Sequence, residues 1–395
     1  MDETLGARIK GRRGKAITQA KLAEQVGVSK SMISQIEQGL KTPSIPLLQK
    51  IATALDTDVR DLLGTEKAMF SADPDAGIVA IRRALTPVDD LMDIADEDLH
   101  ISLADAQRTV DRAWGAYSFG RFEVLAGLLP SGITQVRATA HAAQGHEIAP
   151  AHEHLARINW VAGCALVHYG QPDLSSLAIR DALRAAEKGN DELLVAALRG
   201  SVSWQLLVSG RFEEAHGVAL KAAASVEPHG DVSEQQLAVH GALLLQGATA
   251  AGRWERIHEA LSLAEEAGVV AGRIGRDTKW YENDFGPSQQ VMQTVDINIS
   301  NERFPEALAV ARKMPNRGTG LAPVAQGRHL VDKAAAAAQM GQYQLALDML
   351  LTAERVVGKE WVRYQTLLRT VVGVLLRHDR QNALRDFAQR VGVTA

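Results

Sequence analysis

Residues Lys30, Ser31, Ser34, Gln35 and Gln38 fall on one face when the chain from Ser29 is wound at ~100° per residue, opposite Ile33 and Ile36. The side chains on that face can donate and accept hydrogen bonds but include no nucleophile paired with a base. A glutamine amide can grip an adenine edge bidentately, a lysine suits the acceptors of guanine, and serine hydroxyls pair with either. Their chemistry is recognition, and a polar strip of this kind is free to enter a major groove. Other reactive types lack a framework. His141, His146, His152 and His154 lie near Glu147 and Glu153, but spacings of five, six and two match no zinc pattern, and Gly145 and Pro150 place part of the group in a loop. The glycines from Gly268 to Gly275 follow no strand and precede no Walker lysine, and no Gly-x-Ser-x-Gly occurs. The lone Cys164 lies in apolar text and reads as a buried, inert thiol in a reducing compartment. The expectation is a protein that is not an enzyme and carries no metal or cofactor.

The elements that must hold the polar strip are legible around it. Five short helices are predicted over residues 5–63. Leu5 to Arg13 forms the first. Thr18 can cap a second through Val26, because its hydroxyl accepts free N–H groups of the first turn, and Gly27 ends it. Only Val28 separates that glycine from Ser29, which can cap the next helix to Gln38 before Gly39. Two helices joined this tightly cross steeply, as in a helix-turn-helix. Charge follows the same division. The chain carries a net charge of -4, yet residues 1–50 hold nine Lys or Arg against four acids, which leaves the remainder at -9. A basic head on an acidic body points to phosphates at the head alone.

With Thr18-Gln19-Ala20-Lys21-Leu22-Ala23, Gly27-Val28-Ser29, Ile33 to Gly39, Pro43-Ser44, Leu48 to Leu55 and Asp61-Leu62-Leu63, the first 63 residues resemble the phage-repressor (Cro/C1, or xenobiotic-response-element) helix-turn-helix family. The resemblance implies a five-helix, lambda-repressor-like DNA-binding domain. It makes Lys30, Ser31, Ser34 and Gln35 the base-reading residues and puts Gln19, Gln38, Lys41 and Ser44 against phosphates. It also implies that Arg12 pairs with Glu37 inside the domain. Lys21 departs from the pattern, standing where an acidic residue would close a capping box.

Beyond Gly64 a linker runs to about residue 100. It is broken by one amphipathic helix marked by Ile78, Ile81, Arg82 and Leu85 and stopped by Thr86-Pro87. That helix either packs on the body or connects two heads. The sequence divides accordingly into a DNA-binding domain at 1–65, the linker at 66–100 and a helical-repeat domain at 101–395. In the last, one phrase recurs at Gly120-Arg121-Phe122, Gly170, Gly210-Arg211-Phe212, Gly252-Arg253-Trp254, Glu302-Arg303-Phe304 and Gly341-Gln342-Tyr343, in steps of 50, 40, 42, 50 and 39 residues. A turn residue followed by an aromatic, and often by a small residue three further on, marks a helical hairpin. Ser203 with Ala215 and Ala334 with Ala346 resemble the small-residue pairs of the tetratricopeptide repeat. The expected fold is therefore all-α, a repressor-like head followed by a tetratricopeptide-like α-solenoid of helical hairpins. No apolar run approaches the ~18 residues of a membrane span, so the expected location is the cytoplasm.

The layout, with Asn283-Asp284-Phe285-Gly286-Pro287, is similar to actinobacterial-type helix-turn-helix regulators with tetratricopeptide-like bodies and, in architecture, to peptide-sensing quorum regulators. The resemblance implies a homodimer on a double-stranded DNA operator and an effector, peptide or small molecule, on the inner face of the repeats. If first helices line that face, the register places Trp114, Tyr117, Arg157, Trp160, His168, Trp204, Gln246, Gln289, Met292, Asp296 and Arg328 there. The long loop from Arg273 to Pro287, with Lys279, Trp280, Tyr281 and Asn283, is a second candidate. Two alternatives stay open, a protein-interaction scaffold that docks DNA weakly and an antitoxin-like autoregulator.

Overall fold

The structure, a computed structural model, describes residues 5–14, 17–41, 43–55, 57, 62, 74–87, 99–315, 319–378 and 381–393. The chain divides into two compact units. The first contains α1 (Leu5–Arg13), α2 (Gln19–Val26), α3 (Lys30–Glu37) and α4 (Ile45–Ala54). Two starts have their predicted cause, the hydroxyls of Thr18 and Ser29 accepting from the N–H groups of Lys21 and Met32, and Ser44, read from the sequence as a phosphate contact, caps α4 in the same way through the Leu47 N–H. Gly27 ends α2 at φ 74°, a backbone that a side chain would strain. Ile9, Leu22, Ala23, Val26, Ile33, Ile36, Leu48 and Ile51 form the core, with Leu62. The fifth helix expected near Asp61 lies outside the described residues apart from Leu62, as does most of the 66–100 segment.

The second unit begins with α5 (Pro74–Leu85), the helix expected within the linker. It is part of the body: Ile81, Ala84 and Leu85 join the body core, Arg137 donates to the Ala84 carbonyl at 2.6 Å, and Arg82 donates to Gln171 at 3.1 Å. Antiparallel hairpins follow: α6 (Leu103–Ser118) with α7 (Phe122–Ala142), α8 (Ile148–His168) with α9 (Pro172–Ala186), α10 (Glu192–Val208) with α11 (Phe212–Ser225), and α12 (Glu234–Arg253) with α13 (Ile257–Ile274). After a two-stranded β-hairpin come α14 (Pro287–Ser300) with α15 (Phe304–Ala311), α16 (Pro323–Gln339) with α17 (Tyr343–Val357), then α18 (Lys359–Arg363), α19 (Thr366–His378) and α20 (Asn382–Arg390).

The recurring phrase has a backbone cause. Gly120, Gly170, Gly210, Glu255, Glu302 and Gly341 all take positive φ, between 58° and 76°. The next residues, Arg121, Gln171, Arg211, Arg256, Arg303 and Gln342, share ψ near 60–68°. Their N–H groups reach back into the preceding helix, as from Arg121 to the Ala116 carbonyl and from Gln342 to that of Ala337, both at 2.9 Å. This closes the first helix and aims the second. One register is corrected: in the fourth hairpin the turn lies at Glu255-Arg256, three residues after the phrase beginning at Gly252, because Gly252 is still helical. The small residues then let the helices close, with Ser203, fully buried, donating to the Ala215 carbonyl at 2.6 Å, and Ala334 and Ala346 both fully buried. Within the body the last hairpins return to the first: Phe122 packs edge-on to Tyr364 at 4.9 Å, and the Glu123 N–H donates to Glu360. Among the described residues no helix is long and apolar enough to cross a membrane.

His329 on α16 is only 5% exposed, and among the described residues neither ring nitrogen has a hydrogen-bond partner; burial pushes its pKa down to about 4. The unfolded chain protonates this ring near the ordinary value of 6.5, while the folded chain does so only near 4. Between those values the unfolded state holds more protons, so stability falls as pH falls, by up to about 3 kcal/mol for this one group. The loss in melting temperature between pH 7 and pH 4 should therefore shrink in His329→Leu. An unchanged pH dependence in that variant would remove the assignment.

Candidate functional site

The head presents the polar strip as read. Ile33 and Ile36 are 0% and 1% exposed on the inner side of α3, while Lys30, Ser31 and Gln35 are exposed on the outer side and Ser34 is half-buried. Gln38 is exposed and its amide donates to the Ser34 hydroxyl at 3.3 Å, so the two act as one polar group. Lys41 is exposed beyond the turn at Gly39, and Ser44, half-buried, caps α4. The conformation behind the strip rests on Glu37, whose side chain is 2% exposed. Here the structure corrects the expected pairing. Arg13, not Arg12, holds Glu37, with Nε and Nη2 donating to the two carboxylate oxygens at 2.6 and 3.1 Å. Arg13 is the last residue of α1 and turned inward, whereas Arg12, one step (~100°) around the helix, is exposed. Gln19, a predicted phosphate contact, donates to the same carboxylate at 2.8 Å, which fixes its amide at the start of α2. Burial works against the charge on Glu37, but the hydrogen bonds from Arg13 and Gln19 outweigh it and hold the carboxyl below its ordinary range.

Residues 10–62 match the Helix-turn-helix family model. Over 61 residues the chain is 46% identical to the HTH-type transcriptional regulator SinR of Bacillus subtilis (strain 168) and to that of Bacillus licheniformis, covering 15% of this chain and 55% of each relative. It is 40% identical over 60 residues to the HTH-type transcriptional regulator SlrR of Bacillus subtilis (strain 168), covering 15% of this chain and 38% of that one. The chain thus spans about half the length of the curated relatives it matches, or less. Among solved structures, PlcR of Bacillus thuringiensis, in complex with the peptide PapR7 and DNA, aligns over 79% of this chain and 93% of its own at 16% identity and a TM-score of 0.35. ComR of S. thermophilus, in complex with DNA and its signalling peptide ComS, aligns over 95% and 99% at 12% identity and a TM-score of 0.25.

Polar and aromatic side chains also converge within the body. Trp114 and Tyr117 of α6, Trp160 and Cys164 of α8, Ser201 and Trp204 of α10, and Leu243 and Gln246 of α12 surround a cavity of about 200 Å3. Five of the predicted effector residues, Trp114, Tyr117, Trp160, Trp204 and Gln246, therefore meet at one place. Arg157 lines a second cavity of about 490 Å3 that shares Trp114 and Glu282 with the first. Gln289, Asp296 and Arg328 line neither. Asp296 and Arg328 belong to an ion-pair chain in which Arg253 donates to Asp296 at 2.7 Å, Arg328 lies 3.9 Å from the same carboxylate and Arg328 donates to Asp332 at 3.1 Å, joining α12, α14 and α16. Two of the three indole N–H groups are spent inside the protein, Trp114 on the Arg157 carbonyl at 3.2 Å and Trp160 on Ser201 at 2.6 Å, so these two residues offer mainly ring surface to the cavity. His168 sits behind Tyr117, Nε2 to Oη 3.4 Å, and burial drives its pKa down to about 4. Burial pushes the Cys164 thiol up to about 12, in keeping with an inert group.

The second candidate loop closes the same cavity. It is an antiparallel β-hairpin, β1 (Thr278–Trp280) and β2 (Asn283–Phe285), a departure from the all-helical expectation. Its two-residue turn, Tyr281-Glu282, has φ of 47° and 62°. Paired positive φ suits Asn-Gly, and side chains of this size are strained there. The hairpin is held at its base. Phe285, fully buried, sits on Gly241 of α12, where a Cβ would lie 2.0 Å from the ring; Trp280 donates to Glu234 at 3.0 Å and Asp277 accepts from the Ser288 N–H at 2.9 Å. Glu282 and Asn283 thereby enter the first cavity and Lys279 to Glu282 the second. Glu282 was not singled out by its spacing; its place within the long loop was the available signal.

Among the described residues no group of three or more His, Cys, Asp or Glu is placed to hold a metal.

Proposed function

We propose that this chain is a cytoplasmic, homodimeric, sequence-specific DNA-binding transcriptional regulator, acting by binding and not by catalysis. In this reading its tetratricopeptide-like body takes an effector in the aromatic-lined cavity. The observation that carries it is the outward polar strip of α3, backed by the buried Ile33 and Ile36, in a head whose residues 10–62 match the helix-turn-helix model. Lys30, Ser31, Ser34 and Gln35 read base edges in the major groove, while Gln19, Gln38, Lys41 and Ser44 set the register on phosphates. Two heads on one operator read half-sites about one helical turn apart. An effector favouring one arrangement of the body needs only ~1–3 kcal/mol of coupling to change operator affinity 5- to 150-fold.

Selection of bound duplexes from a random DNA pool tests this, and an enriched palindromic site is expected. At that site Gln35→Ala costs ~1–3 kcal/mol and relaxes preference at one base pair, whereas Lys41→Ala weakens all sequences alike and lowers the salt slope by about one unit. No enrichment, or equal losses on cognate and random DNA for Gln35→Ala, would defeat the base-reading roles.

A further inference from the structure

The tip of the β-hairpin brings a carboxylate to the wall of an aromatic cavity and gives it two cationic partners. Arg157 Nη1 donates to Glu282 at 3.2 Å, and Lys279 Nζ lies 3.9 Å from its other oxygen while donating to Ser118 at 3.0 Å. Glu282 is 13% exposed, Arg157 23% and Lys279 39%. Desolvation raises the carboxyl's pKa against the opposing pull of those cations, so the ion is held where water serves it poorly. The donors exceed what Glu282 uses. A guanidinium carries five N–H groups and an ammonium three, yet only one Arg157 N–H reaches the carboxylate, the ring of Tyr281 lying 5.7 Å from the guanidinium carbon. The turn presenting Glu282 is the strained one, with two bulky residues at positive φ.

From these we infer, on the reading that the cavity is an effector site, that its ligand is a small carboxylic acid with a flat apolar body. Its carboxylate takes the place of Glu282 on Arg157 and Lys279, and its body lies among Trp114, Trp160 and Trp204. Glu282 is then an internal stand-in for the ligand's anion. Exchanging one carboxylate for another leaves the net charge of the site unchanged, which the addition of an anion or a cation would not. Release of the tip relieves the backbone strain at Tyr281 and Glu282, and that favours the exchange. The first cavity suits the body because the indole N–H groups of Trp114 and Trp160 are already paired, leaving their apolar ring faces.

Phenylacetate, phenylacetamide and phenethylamine share a ring and differ in charge, and tryptophan fluorescence of the full chain reports on their binding. Phenylacetate should bind at least about tenfold more tightly than either analogue, the range expected for a hydrogen-bonded charge pair. Glu282→Gln, which removes the competing anion, should tighten phenylacetate by about tenfold, and Arg157→Gln should weaken it by a similar factor. Opposite shifts from two neighbouring substitutions cannot both come from misfolding. Preference for the amine, no binding of any probe, or weaker phenylacetate binding in Glu282→Gln would each overturn the inference. Binding of the selected duplex, measured on the same preparations, separates the two readings. Duplex binding without probe binding sinks only this inference, and probe binding without duplex binding sinks the regulator reading.

Discussion

Replacing Arg13 by alanine should unfold the helix-turn-helix head at neutral pH, while the same change at Arg12 should cost far less. Arg13 supplies two charge-assisted hydrogen bonds to a carboxylate whose side chain is 2% exposed, and without them Glu37 keeps only the amide of Gln19. Breaking a buried pair from one side costs ~3–5 kcal/mol, because the orphaned charge stays behind in a poor solvent. A domain of some sixty residues has little more than that in reserve. Hydrogen exchange on the full chain provides the test: amides of α2 and α3 should lose protection in Arg13→Ala while the body keeps its own. Full protection of α3 in Arg13→Ala, or a greater loss in Arg12→Ala, would show that the pairing described here is not the working one. The same pair has a pH signature. Glu37 titrates below its ordinary value of 4.5 in the folded head, so its contribution is present above that value and is lost as pH falls through the lower, folded one.

Removing the ring of Phe285 should release the β-hairpin from the body. The ring is fully buried against Gly241 and is the apolar anchor of a two-stranded element too short to stand alone. Phe285→Ala should cost ~3–5 kcal/mol. Gly241→Ala attacks the same contact from the other side, since its methyl would lie 2.0 Å from Cζ of the ring, and overpacking of this kind costs ~1–3 kcal/mol. Both variants should expose the amides of residues 276–288 to exchange before the helices around them. Protection of that segment in Phe285→Ala equal to the unaltered chain would mean that the polar contacts of Trp280 and Asp277 anchor the hairpin unaided.

Much of the head was legible because its determinants are local. Thr18, Ser29 and Gly27 act within a few residues of themselves, and the apolar period of α3 settles which side faces the core, so the strip from Lys30 to Gln38 follows from spacing. The pairing of Glu37 did not, since choosing between adjacent arginines depends on how α1 is rotated against α3. In the body, the turn residue at Gly120, Gly170, Gly210 and Gly341 marked most hairpins, but glutamates carry the same positive φ at Glu255 and Glu302, and at the first of these the glycine nearby drew the register three residues early.

The amino-acid sequence by itself determined where the helices of the head and most hairpins of the body turn, and that a basic head precedes a body of hairpins, because capping, periodicity and charge are short-range properties. Tertiary structure alone decided that Trp114, Tyr117, Trp160, Trp204 and Gln246, spread over more than a hundred residues, face one cavity and that Asp296 and Arg328 spend themselves on each other's neighbours instead. It also decided that Tyr281-Glu282 turns a hairpin that neither residue favours. Contacts with Gly241, Glu234, Ser118 and Arg157 outweigh the local preference of the turn, and such contacts exist only once the helices bearing them have assembled.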